Sequence, residues 1–149
     1  LKGVSESGFQ FFTNYTSDKA SEIMQNSSVA MTFFWKELER QVRIEGQVSK
    51  ISEEDSKAYF LSRPYMSQLG AWVSNQSQVI KDRSVLEKRL EELIQRYPEG
   101  TGVPYPTHWG GFELRPIRIE FWQGRPSRLH DRISYVQIDH RWQKQRLAP

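Results

Sequence analysis

The sequence predicts an α+β fold in which antiparallel strands form a barrel and helices lie between them. Strand patterns occupy both ends of the 149-residue chain, and the pattern of an amphipathic helix occupies its middle. The regular βαβ alternation that is typical of a parallel sheet is absent. A chain of this length with 37% apolar residues buries roughly two thirds of its unfolded surface, so one domain, residues 1–149, is expected.

The chain begins with a predicted hairpin and a short helix. Residues 9–15 (FQFFTNY) form a β-rich run after the turn-like segment 5–8, so Leu1 and Lys2 are expected to end the preceding strand. Ser17 is a suitable N-cap for a helix that extends to about residue 25.

Five further strands are predicted, at residues 29–35, 40–51, 112–122, 128–136 and 142–147. The first of these (VAMTFFW) has the composition of a buried strand. The second alternates apolar and polar residues, which is typical of a half-buried strand, and Gly46 within it indicates a bulge or bend.

Helices are predicted between these groups of strands. The segment 52–55 (SEED) has the acidic, cap-rich start of a helix that reaches Pro64, and a second short helix follows to about residue 73. The clearest helix spans residues 82–97, with leucines at helical spacing and charges on the opposite face. Residues 98–106 form an irregular connector rich in proline and glycine.

Composition excludes several classes of protein. The chain has no cysteine, so disulfides and thiolate-ligated metal sites are ruled out, and we expect a cytoplasmic location. Glycine-rich phosphate loops and the G-x-S-x-G elbow are absent, and the three separated histidines do not have the spacing of a metal site. A net charge of +3 and a pI near 9.2 suit a phosphorylated ligand but do not require one.

Residues 120–132 (EFWQGRPSRLHDR) concentrate positive charge beside a tryptophan. In the strand before the turn Ile117, Ile119 and Phe121 are expected to face a core, so Trp122 faces the other side. A loop over residues 123–127 would form a hairpin.

In the strand after this loop Arg128, His130 and Arg132 are expected to share one face, which predicts a cationic ladder next to Trp122. An anionic planar ligand would relieve repulsion within this ladder. The alternative is a solvated strand face whose arginines pair with Glu120 and Asp131, and spacing alone does not separate the two interpretations.

Two weaker clusters of polar residues are also candidates for a ligand site. Tyr59, Arg63 and Ser67 follow one another at intervals of four and could converge on a phosphate, although an exposed helix end is the more common explanation. The side chains of Gln41, Gln76 and Ser77 could bond the edge of a heteroaromatic ring.

The chain resembles the pyridoxamine 5′-phosphate oxidase family. The matching segments, in order, are FFTNYTSDKA, ERQVRIEG, YFLSRPYMSQLGAWVSNQS, WGGFELRP, IEFWQGRPSRLHDR and RLAP. The resemblance implies a split β-barrel of the FMN-binding type that works as a homodimer, with FMN at the subunit interface. It also implies oxidation of pyridoxamine or pyridoxine 5′-phosphate to pyridoxal 5′-phosphate, with O2 reduced to hydrogen peroxide.

The resemblance also implies roles for individual residues. The flavin-contacting positions would be Phe12, Thr13, Lys19, Gln41, Gln76, Ser77, Trp122 and Arg132. The substrate phosphate would meet Lys2, Tyr59, Arg63 and Ser67. Arg128 and His130 would lie over the substrate ring, opposite the flavin, and would act as the catalytic residues.

The chain departs from the family pattern at two places. Asp18 stands where family members usually carry an arginine, and an acidic residue there is expected to weaken FMN binding unless it turns away. The family's N-terminal portion is represented only by Leu1 and Lys2, and we expect that upstream residues were omitted from this sequence.

Two other functions remain open at this point. One is a related flavoprotein oxidase acting on another ring substrate. The other is a non-catalytic module that binds flavin, pyridoxal phosphate or single-stranded RNA.

Overall fold

The computed structural model describes residues 1–149 and contains seven strands and four α-helices. The strands are β1 (Gly3–Val4), β2 (Phe9–Asn14), β3 (Ser28–Trp35), β4 (Arg40–Lys50), β5 (Trp109–Gln123), β6 (Asp131–Ile138) and β7 (Arg141–Leu147). The helices are α1 (Asp18–Gln25), α2 (Glu53–Ser62), α3 (Tyr65–Val73) and α4 (Ser84–Arg96). Every predicted element is therefore present, although β1 consists of Gly3–Val4 and does not end at Lys2 as predicted.

The strands form one curled antiparallel sheet built around β5. One edge of β5 pairs with β4 along most of its length. The other edge pairs first with β2, through residues 109–114, and then with β6, through residues 118–123. Because two strands divide one edge of β5 between them, the sheet opens into a half-barrel, in agreement with the predicted split barrel.

Two hydrophobic clusters pack on opposite faces of this sheet. The first holds α1 against β4 and β5 through buried Ile23, Ile44 and Leu114. The second holds α2 and α3 against the start of β5 through Phe60, Leu69 and Trp109. The helical layer is thereby fixed beside the N-terminal half of β5.

The N-caps of two helices are those that the sequence indicates. Ser17 Oγ accepts a hydrogen bond from the backbone N–H of Ala20, and Ser52 Oγ accepts one from Asp55. Each bond satisfies an amide that the first helical turn leaves unpaired. No helix is long and apolar enough to cross a bilayer.

A β-bulge interrupts the pairing of β4 with β5 at the predicted position. Glu45 lies opposite Arg118, whereas the next residue, Gly46, lies opposite Pro116. Ile117 is therefore the extra residue, and it has no partner on β4. Before the bulge even-numbered residues of β5 face the first cluster, and after it odd-numbered residues do.

The prediction that three alternate residues of β5 face the core is correct for only one of them. Ile119 packs against the first cluster as predicted, but Ile117 is 48% exposed because it lies at the bulge. Phe121 is 46% exposed because it lies beyond the covered part of the sheet. The prediction that β3 is buried is also wrong: β3 is an edge strand, and only alternate residues such as Met31 and Phe33 pack on the core.

Candidate functional site

The cationic residues after β5 lie in a loop rather than on a strand. Residues 124–130 connect β5 to β6, and Arg128 lies in a 3₁₀ turn, Pro126–Arg128, before β6 begins at Asp131. Ser127 and Arg128 both have positive φ, 59° and 62°. The predicted ladder of Arg128, His130 and Arg132 on one strand face is therefore wrong, because the loop is longer than predicted and only Arg132 lies within β6.

The same loop nevertheless brings His130 to Trp122. The two ring centroids are 4.8 Å apart at an angle of 44°. His130 Nδ1 accepts a hydrogen bond from the backbone N–H of Arg125 at 3.1 Å. In the neutral ring the proton therefore lies on Nε2, which is left as a hydrogen-bond donor. Arg128 is exposed, and its side chain forms no hydrogen bond or ion pair.

Three residues predicted to contact a flavin form one row across the sheet. Trp122 lies directly opposite Gln41 of β4 on one side and Arg132 of β6 on the other. Directly opposed residues project to the same face of a sheet, so an amide, an indole and a guanidinium line up there. A cavity of about 300 Å³ is lined by Gln41, Trp122, Trp35 and Phe121 among others.

Arg132 is paired with a buried carboxylate. Its Nε and Nη2 donate to Glu120 Oε1 and Oε2 at 2.8 and 3.1 Å, and its Nη1 donates to the carbonyl of Ala148 at 3.0 Å. These bonds from Arg132 lower the pKa of Glu120 and raise that of Arg132. In the same region Asp131 pairs with both Arg125 and Arg146. Of the pairs in the alternative interpretation, Arg132 with Glu120 is thus present, but Glu120 is buried rather than solvated, and the partners of Asp131 are not ladder residues.

A second group of predicted flavin contacts meets where β2 ends. Gln76 Oε1 accepts hydrogen bonds from Thr13 Oγ1 at 2.9 Å and from the backbone N–H of Asn14 at 3.3 Å. Ser77 Oγ accepts a bond from the backbone N–H of Asp18 at 3.2 Å. These bonds fasten the segment after α3 to the start of α1, and they leave the Nε2 donors of Gln76 without a partner in the chain.

Lys19 and Asp18 lie next to this group and are both exposed. Lys19 lines a cavity of about 590 Å³ together with Phe11, Ile23 and Met31. The other predicted flavin contacts do not line this cavity, which is mainly an apolar opening between α1 and β3.

The predicted phosphate cluster forms a corner between α2 and α3. Arg63 separates the two helices, and its guanidinium lies 4.7 Å from the ring centroid of Trp109. Tyr59 stacks on the same indole at 6.2 Å and on Phe12 at 3.9 Å. Phe12, predicted to touch the flavin, therefore supports this corner.

Arg63 differs from the other predicted site cations because it is partly buried without an acidic partner. Its Nη1 is buried and forms no hydrogen bond. Burial lowers the pKa of Arg63, and neighbouring Tyr59 opposes that shift only in part. A desolvated guanidinium with an unsatisfied donor is a favourable place for an anion. The side-chain hydroxyl of Ser67, one turn into α3, also has no partner.

The structure thus gathers most of the predicted residues into three groups and leaves Lys2, Lys19 and Arg128 outside them. The sheet row contains Gln41, Trp122 and Arg132, with His130 beside it. The amide cluster contains Thr13, Gln76 and Ser77, and the phosphate corner contains Tyr59, Arg63 and Ser67. No hydrogen bond or ion pair connects these groups to each other or to the exposed side chain of Lys2.

Two residues that carry these groups were not singled out from the sequence. Trp109 supports Arg63, and Glu120 fixes Arg132. The sequence signal for Trp109 is its position directly before two glycines, Gly110 and Gly111. The backbone is closely packed there, because a Cβ on Gly111 would lie 2.3 Å from the side chain of Ile51. Glu120 was considered only as a surface partner, since burial is not visible in an alternating strand.

Two family descriptions match this chain. Residues 2–97 match the description "Pyridoxamine 5'-phosphate oxidase", and residues 109–149 match "Pyridoxine 5'-phosphate oxidase C-terminal dimerisation region".

Curated relatives match the chain over its whole length. The pyridoxine/pyridoxamine 5′-phosphate oxidase of Microcystis aeruginosa is 59% identical over 150 residues, and that of Cytophaga hutchinsonii is 55% identical over 150 residues. In both comparisons the match covers 100% of this chain and 70% of the relative.

Solved structures share the fold. PhzG from Burkholderia lata 383, in complex with tetrahydrophenazine-1-carboxylic acid, superposes with a TM-score of 0.90 at 27% identity, covering 99% of this chain and 72% of PhzG. A pyridoxamine 5′-phosphate oxidase-related, FMN binding protein from Nostoc punctiforme gives a TM-score of 0.74 at 20% identity, covering 99% and 77% of the two chains.

Proposed function

The chain belongs to the pyridoxamine 5′-phosphate oxidase family and is an oxidoreductase, and from this premise we propose the reaction that it catalyses. It oxidises pyridoxine 5′-phosphate, or pyridoxamine 5′-phosphate with consumption of water and release of ammonia, to pyridoxal 5′-phosphate and reduces O2 to hydrogen peroxide. The names of the relatives support the substrate. The observation that carries the proposal is the buried, unpartnered Nη1 of Arg63, which suits the phosphate group of such a substrate.

The proposed cofactor is FMN, which when bound accepts a hydride from the substrate and passes its electrons to O2. The residues present fit such a group. Trp122 offers a half-buried ring, Gln76 has free amide donors, and Arg132 keeps two N–H groups beyond its bonds to Glu120 and Ala148. Gln41 and Ser77 add polar groups, and Lys19 a positive charge. Asp18 is exposed, and its side chain makes no hydrogen bond, so it is free to turn away from a phosphate.

We propose that the cofactor lies between two copies of the chain. The sheet row and the amide cluster do not contact one another within one chain. A flavin at a subunit interface would touch one group from each subunit. The match of residues 109–149 to a dimerisation region supports this homodimer.

The phosphate corner would hold the substrate by its phosphate. Arg63 would donate from Nη1, and the hydroxyls of Tyr59 and Ser67 would add neutral donors. Lys2, on the N-terminal hairpin, would contribute a further charge. Because Arg63 has no carboxylate to leave, an incoming dianion does not have to displace an existing ion pair.

Arg128 and His130 would act on the ring end of the substrate. His130 presents an Nε2–H donor, since Nδ1 is occupied by the backbone of Arg125. Arg128 is a free cation that would stabilise the negative charge that the cofactor gains when hydride leaves the substrate. Both residues would also orient the substrate carbon from which hydride leaves.

The test is the absorbance spectrum of the purified protein with added FMN, followed by peroxide production with pyridoxamine 5′-phosphate. We expect a flavin spectrum, and peroxide formation that depends on the substrate.

Arg128→Ala should lower kcat about a hundredfold, with an unchanged melting temperature because the side chain makes no contact that stabilises the fold. Arg141→Ala, an exposed arginine of β7, is the matched control and should retain the wild-type rate. A protein that binds no FMN, or an Arg128→Ala variant as active as wild type, would contradict these assignments.

A second candidate is oxidation of a tricyclic carboxylate. The TM-score of 0.90 to PhzG, whose crystals contain tetrahydrophenazine-1-carboxylic acid, favours it. A carboxylate would also satisfy Arg63. Peroxide production with each substrate in turn separates the two, and the identity of 55–59% to the pyridoxine/pyridoxamine 5′-phosphate oxidases favours the phosphorylated one.

A further inference from the structure

Glu120 is a carboxylate at the centre of the sheet that the proposed function does not use. It is 7% exposed and lies on β5, two residues before Trp122 and on the same face. Its neighbours across the sheet are Arg43 of β4 and Ser134 of β6. Burial of a carboxylate destabilises the folded protein unless charged or hydrogen-bonding groups surround it. The groups that pair with Glu120 therefore indicate what it does.

The partners of Glu120 are arginines. Arg132 binds both carboxylate oxygens, and Arg118 Nη2 lies 3.5 Å from Oε2. Arg43 is opposite Glu120 and pairs with Glu45, which Arg118 also approaches at 4.0 Å. Three guanidinium groups therefore share two carboxylates, and removal of Glu120 would leave Arg118 and Arg132 to repel one another.

The hydrogen bonds of Arg132 determine what it can offer to a ligand. A guanidinium carries five N–H groups, and Glu120 and Ala148 take three of them. The remaining two lie on Nη1 and Nη2. Because the two bonds to Glu120 form a planar fork, they fix the plane of the guanidinium and so the direction of these free donors.

We propose that Glu120 is a positioning residue, which holds the guanidinium of Arg132 beside Trp122 so that its two free N–H groups meet the bound flavin. The proposal rests on the proposed function for the assignment of FMN to this row. Glu120 itself touches no ligand and acts only through Arg132.

The test is FMN affinity, measured by the quenching of flavin fluorescence on titration with purified protein. Glu120→Gln has nearly the same shape but one acceptor fewer and no charge, and should weaken FMN binding about tenfold. Glu120→Asp keeps the charge on a shorter stem and should bind with intermediate affinity. Glu113→Gln is the matched control, because Glu113 lies on the same strand and accepts bonds from Ser5, Ser7 and Gln10. It should bind FMN as wild type does.

A double-mutant cycle distinguishes positioning from a general structural role. Arg132→Ala should weaken FMN binding clearly in the wild-type protein and only slightly in the Glu120→Gln protein, since the arginine is already misplaced there. Additive losses, or affinities of Glu120→Gln and Glu120→Asp within twofold of wild type, would overturn the proposal. Failure of the wild-type protein to bind FMN would instead overturn the proposed function, so the two failures are distinguishable.

Discussion

Arg63 and Arg132 belong to two regions that hold a cation in opposite ways. In the helical corner Arg63 stacks on Trp109, has a buried Nη1 without a partner, and has a lowered pKa because it is desolvated. In the sheet row Arg132 forms a two-pronged bond with Glu120 that raises its pKa. The first cation is left without an anion, and the second already has one.

The difference indicates that Arg63 is suited to bind an anion that comes and goes, whereas Arg132 is held in a fixed orientation before any ligand binds. An unpaired, desolvated guanidinium gains much of its stabilisation only when an anion arrives, which suits an exchanging substrate. A guanidinium fixed by a carboxylate loses little freedom on binding and offers donors in a set direction, which suits a resident cofactor.

The largest effect is expected from Arg63→Met, which keeps the apolar stem and removes the charge. The KM for pyridoxamine 5′-phosphate should rise roughly a hundredfold, because a charged hydrogen bond in a desolvated site is lost. The affinity for FMN should not change. Steady-state peroxide assays and flavin titration measure the two quantities.

Arg96→Met is the control for that substitution. Arg96 also lies over an aromatic ring, that of Tyr97, at 5.4 Å, but it belongs to no proposed site. Its KM should match that of wild type. An equal rise in KM for both variants would show that Arg63 has no special role in substrate binding.

The next effect concerns the melting temperature, which should fall when Arg132 is replaced and should not fall when Arg63 is replaced. Arg132→Met leaves buried Glu120 without its main partner and should lower the melting temperature by roughly 5 °C or more. Arg63→Met removes a desolvated cation without an acidic partner and should leave the melting temperature unchanged or about 1–2 °C higher. Thermal unfolding followed by circular dichroism measures both. A similar loss in the two variants would erase the contrast.

The smallest effect is a difference in acid sensitivity. The pKa of Glu120 is lowered by its bonds to Arg132, so the unfolded chain binds more protons than the folded one. The contribution of this shift to the free energy of unfolding is fully present above the ordinary carboxyl pKa. It is lost as the pH falls through the lowered pKa that Glu120 has in the folded state. Urea unfolding between about pH 5 and pH 3 should therefore show a shallower loss for Glu120→Gln than for wild type, whereas Arg63→Met should show the wild-type slope.

The elements of the fold could be predicted because each depends on its own residues. Period-two alternation identified β4, and the serine at position 17 identified the start of α1. The length of the loop before β6 could not be predicted, because Ser127 and Arg128 adopt a backbone conformation that side chains of their type seldom favour. The alternating pattern consequently predicts a strand at Arg128, where the structure has a loop.

The candidate site was predictable where its residues are close in sequence. The spacing of Tyr59, Arg63 and Ser67 indicated the phosphate corner, although it did not reveal that Trp109, 46 residues after Arg63, supports it. The pairing of Arg132 with Glu120 was foreseen as an alternative. Its burial was not, since burial depends on how β4, β5 and β6 come together.

The bulge at Ile117 has a consequence for how the site could be lost. If the bulge were lost while Ile117 stayed in the strand, β5 would pair regularly with β4, and the inward and outward positions over the second half of β5 would exchange. Glu120 and Trp122 would turn into the apolar interior, and Phe121 would take their place, although no polar residue had been altered. The location of the sheet row therefore depends on a backbone irregularity at a residue that has no chemistry of its own, and a comparison of aligned polar residues alone would overlook the loss of that irregularity.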